Sequence, residues 1–180
     1  MYYPFRTIFH SAYHENINLM ILVNSKGWLI HNKKHYKCAL GKKGITKNKR
    51  EGDMCTPHGT FGLGPVFYRS DRVKIKTKLR KIEIKKGMAW CDDPKSKYYN
   101  KLIFTKRSKE TLMRKDHLYD IVVFVKYNST RIKKGRGSAI FIHVARKNYS
   151  PTKGCVALNV KNLKNLLNKI NLKTKIKITF

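Results

Sequence analysis

Residues Ser138–Leu158 read Ser-Ala-Ile-Phe-Ile-His-Val-Ala-Arg-Lys-Asn-Tyr-Ser-Pro-Thr-Lys-Gly-Cys-Val-Ala-Leu, and the fold is read outward from them. From Ala139 to Val144 every residue but one is apolar and no turn former intervenes, which predicts a buried strand. A period of two places Ala139, Phe141 and His143 on one face, with His143 at the strand's exit. Arg146 to Lys153 has the composition of a surface loop, and Gly154-Cys155 then leads into a second apolar run, Val156–Leu158. The loop returns Cys155 to the place the strand left. An imidazole beside a thiol favours the thiolate, the form that attacks a carbonyl. Gly154 lets the backbone turn tightly, so that the amides around Gly154 and Cys155 point at a developing oxyanion. The same residues also read as a core histidine and a buried cysteine, and at this level both readings stand.

Upstream, Leu19–Val23, the turn Asn24–Gly27 and Trp28–Ile30 predict a hairpin, and Tyr36–Leu40 adds a third strand, a β-meander. Ile45–Pro57 is polar and turn-rich, followed by a strand from Gly59 to Arg69. Val73, Ile75, Thr77 and Leu79 alternate with lysines, which predicts a half-exposed strand whose lysine row blunts an edge. Ser108 is the expected N-cap of a short helix ending at Lys115, and Ile121–Val125 is the most continuous β run. After N-cap Asn159, the positions Val160, Leu163, Leu166, Leu167 and Ile170 form one helical face. Ile176, Ile178 and Phe180 alternate through a closing strand. The expectation is a mainly β single domain, a curved sheet or sandwich with about two short helices, over residues 18–180, preceded by an extension, 1–17.

The chain has 180 residues and a formal net charge of +31. Ten of its forty-one basic residues are arginines and the rest lysines, spread along the whole length. Such a surface attracts polyanions through its field more than by base readout, which leans on arginine forks. A solvated surface that defaults to lysine explains the charge equally well. Cys38, Cys55, Cys91 and Cys155 form no C-x-x-C, so neither a zinc ribbon nor a thioredoxin-like motif is present, though a disulfide among the first three stays open. No metal or cofactor is expected. The longest apolar run is too short for a transmembrane helix, and residues 1–18 show no secretory signal core. Read alone, that points to the cytoplasm.

Two further segments carry polar chemistry. Around Trp90, Asp92, Asp93, Tyr98, Tyr99 and Asn100, aromatic platforms alternate with carboxylates, a composition for gripping an amine-bearing peptide or simply for ordering a loop. From the residues alone, His58 suits a loop rim and Tyr119 a buried tyrosine with a satisfied hydroxyl.

His143 followed by Thr152-Lys153-Gly154-Cys155 resembles the signature of the L,D-transpeptidase catalytic domain (YkuD-like) family, cysteine enzymes that remodel peptidoglycan peptides. The segment from Glu51 to Phe61, with Gly52, Asp53, Thr56, Pro57 and Gly59 in place, is similar to a second family landmark. Trp90–Pro94, Asp116–Asp120 and Gly135–Ser138 resemble a proteobacterial branch. The resemblance implies Cys155 as nucleophile, His143 as base oriented by the Val144 carbonyl, and backbone at Lys153 and Gly154 around the oxyanion. It implies substrate contacts at Thr152, His58, Gly59, Thr60, Tyr119, His117 and Asp92, peptidoglycan stem peptides as partners, carbapenems as acylators, and the periplasm or cell envelope as the compartment. Departures are a loop of only twelve positions from His143 to Cys155, Lys153 where the family pattern has a second histidine, and Ala157 where it has an arginine.

Overall fold

The computed structural model of the protein describes residues 19–105 and 110–180; the expected extension 1–17 and the expected cap Ser108 lie outside the described residues. The chain opens with β1 (Met20–Asn24), β2 (Trp28–His31) and β3 (Lys34–Ala39), the meander expected. Asn24 Oδ1 accepts the amides of Lys26 and Trp28, each at 3.1 Å, and so builds the first turn. Next come β4 (Ile45–Thr46), β5 (Thr56–Pro57), the long β6 (Gly59–Tyr68), β7 (Lys81–Glu83), β8 (Met88–Trp90), β9 (Leu102–Phe104) and β10 (Glu110–Thr111). The chain ends with β11 (Ile121–Val125), β12 (Phe141–Val144), β13 (Val156–Leu158), α1 (Val160–Leu167) and β14 (Lys175–Ile178).

Nine strands form one sheet in the order β11-β12-β13-β3-β2-β1-β14-β6-β7. β6 bonds β14 through Gly59–Gly62 and β11 through Leu63–Tyr68, which joins the two ends of the row and leaves β7 on the rim. The expected curved sheet is therefore barrel-like. A separate small sheet, β10-β8-β9, covers part of its outside.

Period 2 sorts β11, β12 and β13 between two cores. Ile121, Val123, Val125, Ile142, Val144, Val156 and Leu158 point into the barrel, where Leu163, Leu166 and Leu167 of α1 join the same cluster. Val122, Phe124 and Phe141 point outward into a second, aromatic cluster with Phe67, Trp90, Tyr119 and Cys155. Burial on both faces is why these strands read as unbroken apolar runs. Each fully buried Val, Leu, Ile or Phe contributes about 1.5–3 kcal/mol, so three doubly buried strands make a rigid platform.

Several expectations are corrected. Val73–Leu79 is no strand: its alternation of burial is real, with Leu79 buried and Val73 and Ile75 packed on the core, but no ladder forms before β7. Alternating side chains report a surface to lean on, whereas a strand also needs a partner's backbone. Glu110–Thr111 belongs to a strand paired with β8, not to the expected helix, so α1 is the one helix among the described residues. The strand expected from Ala139 starts at Phe141, because Ala139 takes the left-handed backbone, φ +51°. Asn159 does cap α1, accepting the Asn162 amide at 3.1 Å, but Val160 lies off the buried stripe, 41% exposed. Phe180 lies past the closing strand, on the surface. All four cysteines are free thiols.

Candidate active site

β12 and β13 run parallel, with Ile142 opposite Val156 and His143 opposite Ala157. A parallel pair needs a crossover, and the loop after Val144 supplies it, carrying the chain back to the beginning of β12 instead of its exit. Cys155, one residue ahead of β13, thus lies level with Phe141 and diagonal to His143 on the same sheet face. Diagonal neighbours on one face stand on the order of 7–8 Å apart at the backbone, a gap that an imidazole and a thiol can close between them.

The crossover is pinned at its far end. Thr152 forms a bridge with Gly41, taking the Leu40 carbonyl at 2.8 Å and giving its own carbonyl to Lys42 at 2.9 Å. Its hydroxyl donates to the Cys155 carbonyl at 2.7 Å and accepts the Gly154 amide at 3.0 Å. Gly154 takes φ +138°, and a Cβ there would lie 2.7 Å from the Cys55 carbonyl, so only glycine lets the Glu51–Phe61 segment pass this close to the thiol.

His143 is buried, 6% exposed, and its Nδ1 lies 2.9 Å from the Val144 carbonyl. A carbonyl only accepts, so Nδ1 carries the proton and Nε2 of the neutral ring is the basic nitrogen. Burial holds this imidazole down at about 4; the Val144 bond opposes that shift, and the nearby charges of Arg114 and Arg146 add to it. Tyr119 meets the ring edge-on, centroids 5.3 Å apart, and its hydroxyl donates to Glu110.

The Cys155 thiol is 8% exposed, and burial pushes it up to about 12, with the Glu110 carboxylate adding to the rise and the Phe141 amide and Lys49 opposing it. The thiol donates to the Ala139 carbonyl at 3.3 Å, not to the imidazole. That carbonyl owes its position to the left-handed backbone at Ala139, a conformation that costs a non-glycine residue about 1–3 kcal/mol. Asn100 holds it there: its Oδ1 accepts the Ala139 amide at 3.1 Å and the Trp90 indole at 2.9 Å, while its Nδ2 donates to the Tyr127 and Asn128 carbonyls. Trp90, Tyr99 and Asn100, read as candidates for gripping a peptide, are buried scaffold instead. Ser138 and Tyr99 both donate to Glu51, which fixes the other wall.

His143, Cys155, Tyr119, Thr152, Lys153 and Asp92 all line one open cavity of about 510 Å3. Val144 touches the site through its carbonyl. His117, Gly59, Thr60 and His58 are not among the lining residues: His117 is an exposed side chain paired with Asp120 at 2.7 Å, Gly59 and Thr60 pair with β14, and His58 stacks on Phe180. Glu51, from the Glu51–Phe61 landmark, joins the lining, which also adds residues that the sequence did not single out, Glu110, Arg114 and Arg146, from three separate segments. Arg114 is clamped by Asp116 through bonds of 2.8 and 2.7 Å, whereas Arg146 makes no ion pair among the described residues. No cluster of potential metal ligands exists among the described residues.

This arrangement places a thiol, a neutral imidazole and charged side chains of both signs around one open cavity. Solved structures similar to this chain include the helical cell shape determining protein Pgp2 from Campylobacter jejuni (17% identity, TM-score 0.45, 88% of this chain and 46% of that one) and Bd1075 from Bdellovibrio bacteriovorus (17%, 0.49, 88% and 46%). An L,D-transpeptidase from Mycobacterium smegmatis is similar at 12% identity and TM-score 0.42, over 89% of this chain and 58% of that one. The chain thus spans about half the length of the structures it matches. Comparison with the curated proteins gives no match. The L,D-transpeptidase catalytic domain, YkuD, matches residues 18–178, and by that match the chain belongs to the YkuD family.

Proposed function

We propose that residues 18–180 form one catalytic domain that transfers acyl groups of peptidoglycan stem peptides through a thioester on Cys155, acting in the cell envelope as is typical of the family. The observation that carries this reading is the placement of His143 and Cys155 on one face of adjacent parallel strands, both lining the open cavity.

With the thiol high and the imidazole low, both groups rest neutral, so the proton moves during attack and not before it. The thiol turns from the Ala139 carbonyl toward Nε2. As its sulfur bonds to the peptide carbonyl carbon, Nε2 takes the proton and the carbonyl oxygen becomes an oxyanion. The Gly154 amide is engaged by Thr152, so the amide of Cys155 is the donor we assign to that oxyanion, with Lys153 at the loop's edge. The C–N bond then breaks and Nε2 returns the proton to the leaving amine. An acceptor amine attacks the thioester next, giving up a proton to Nε2 and yielding a cross-link, and the thiolate leaves and recovers that proton. Water in the acceptor's place yields a shortened stem, the carboxypeptidase outcome.

Arg146, exposed and without an ion pair among the described residues, is the cation we assign to a substrate carboxylate, in the cavity where Ala157 offers none. Asp92 and Glu51 on the opposite wall suit the peptide's amine.

Incubation with defined muropeptides, followed by mass spectrometry of the products, tests the reading. Cross-linked or shortened stems from the wild type, and none from Cys155→Ala, are expected. Intact substrate with folded wild-type protein would sink it.

A further inference from the structure

Away from the cavity, the outer face of β14-β1-β2-β3 carries exposed apolar side chains with no polar reason to be there. Leu22 and Trp28 are each 41% exposed, and Met20 and Ile30 are half-buried. The ladder registers make them neighbours. Leu22 lies opposite Ile30 on one side and Lys177 on the other, Ile30 lies opposite His35, and Trp28 lies opposite Lys37. Met20 lies beside Lys175, and the Lys126 side chain runs over Gly62 on the next strand. An apolar strip of Met20, Leu22, Ile30 and Trp28 is thereby flanked by Lys175 and Lys177 on one side and by His35 and Lys37 on the other. None of the ten acidic residues and none of the arginines lies on these four strands.

The geometry points to this face as a surface that docks on an anionic phospholipid bilayer. Lysines around an apolar strip match the two layers of such a surface: charged headgroups take the ammonium groups while the indole and aliphatic side chains enter the headgroup–acyl boundary, where tryptophan is favoured. A nucleic-acid duplex matches the lysines but presents nothing apolar to the strip, and the face has no arginine fork for reading bases. Docking here leaves the cavity unobstructed, since no cavity-lining residue belongs to these strands.

The two tryptophans make the test direct, because Trp90 is 5% exposed in the core and Trp28 sits on the strip. The full chain is titrated with vesicles of phosphatidylglycerol in phosphatidylcholine and with phosphatidylcholine alone. Expected are a blue shift of tryptophan emission and quenching by brominated lipid on the anionic vesicles only. Both signals vanish in Trp28→Phe, which leaves the buried core untouched. Partitioning falls roughly five-fold for each of Lys175→Gln and Lys177→Gln, and at least about ten-fold from low to high salt. The proposal is overturned if the chain ignores anionic vesicles, if it binds both compositions equally, or if it binds with Trp28 unshifted and unquenched. It is also overturned if a DNA duplex displaces the vesicles and itself produces the Trp28 shift.

Discussion

The inner and outer faces of β11, β12 and β13 belong to the same thirteen or so residues of backbone yet have opposite tasks. Inward, Ile121, Val123, Val125, Ile142, Val144, Val156 and Leu158 are aliphatic and fill the barrel. Outward, Phe141, His143, Cys155 and Ala157 alternate with them, an imidazole and a thiol set among apolar neighbours. The difference teaches how a short strand holds two polar groups in a fixed relation: the side that carries the imidazole and the thiol needs no rigidity of its own, because the other side of every peptide is locked in a core. Burial then sets the electrostatics, keeping both the thiol and the imidazole uncharged at rest.

Substitutions on the two faces should separate the two tasks. His143→Gln, on the outer face, should lower the acyl-transfer rate by roughly 10²–10⁴-fold with little change in Tm, measured by product formation and thermal melting. Ile142→Ala, its inward neighbour, should cost about 2–5 kcal/mol in a denaturant melt while the rate per folded molecule holds. If Ile142→Ala abolishes the rate in folded protein, the faces are not separable.

The pH dependence of stability sharpens the contrast, because on these three strands only the outer face carries titratable groups. The unfolded imidazole takes a proton near 6.5 and the folded one near 4, so the unfolded chain binds more protons between those values. His143 therefore makes stability fall as pH drops from 6.5 toward 4. The Cys155 thiol, at about 12 folded against 9.0 unfolded, makes it fall as pH rises above 9. Melts of His143→Gln should lose the acid-side slope, and melts of Cys155→Ala should lose only part of the alkaline one, because burial pushes the Cys38 thiol up to about 12 as well. The smallest effect expected is that of Arg146→Gln, a rise in KM of roughly ten-fold with kcat nearly kept, which steady-state kinetics on a stem peptide with a free carboxylate would check.

How legible all this was in the sequence depended on the range of the interaction. The alternation from Ala139 to Val144, the Asn24 turn, the Asn159 cap and the stripe of α1 are local, and they read correctly apart from their edges. Val73–Leu79 misled because its lysine alternation recorded burial without a hydrogen-bonding partner. The closing of the ring by β6 and β11 had no local signature, being a matter of register between distant strands. The same holds for much of the cavity wall: Glu110, Arg114 and Arg146 are ordinary surface residues in sequence and converge only because of the ring and its small covering sheet. Asn100 is the instructive case. Its polar neighbourhood read as a surface grip or a loop-ordering segment, whereas three backbone groups, from Tyr127, Asn128 and Ala139, and an indole converge on its amide in the core. A sequence shows that such a group needs partners but not who they are.

The most direct test of the outer-face chemistry is intact-mass analysis with peptide mapping after exposure to a carbapenem, since Cys55 is a more exposed thiol than Cys155 and serves as an internal competitor. The account predicts a single adduct, on the peptide that contains Cys155, lost in Cys155→Ala and slowed in His143→Gln. No adduct on folded protein, or an adduct that maps to Cys55 and survives Cys155→Ala, would contradict it.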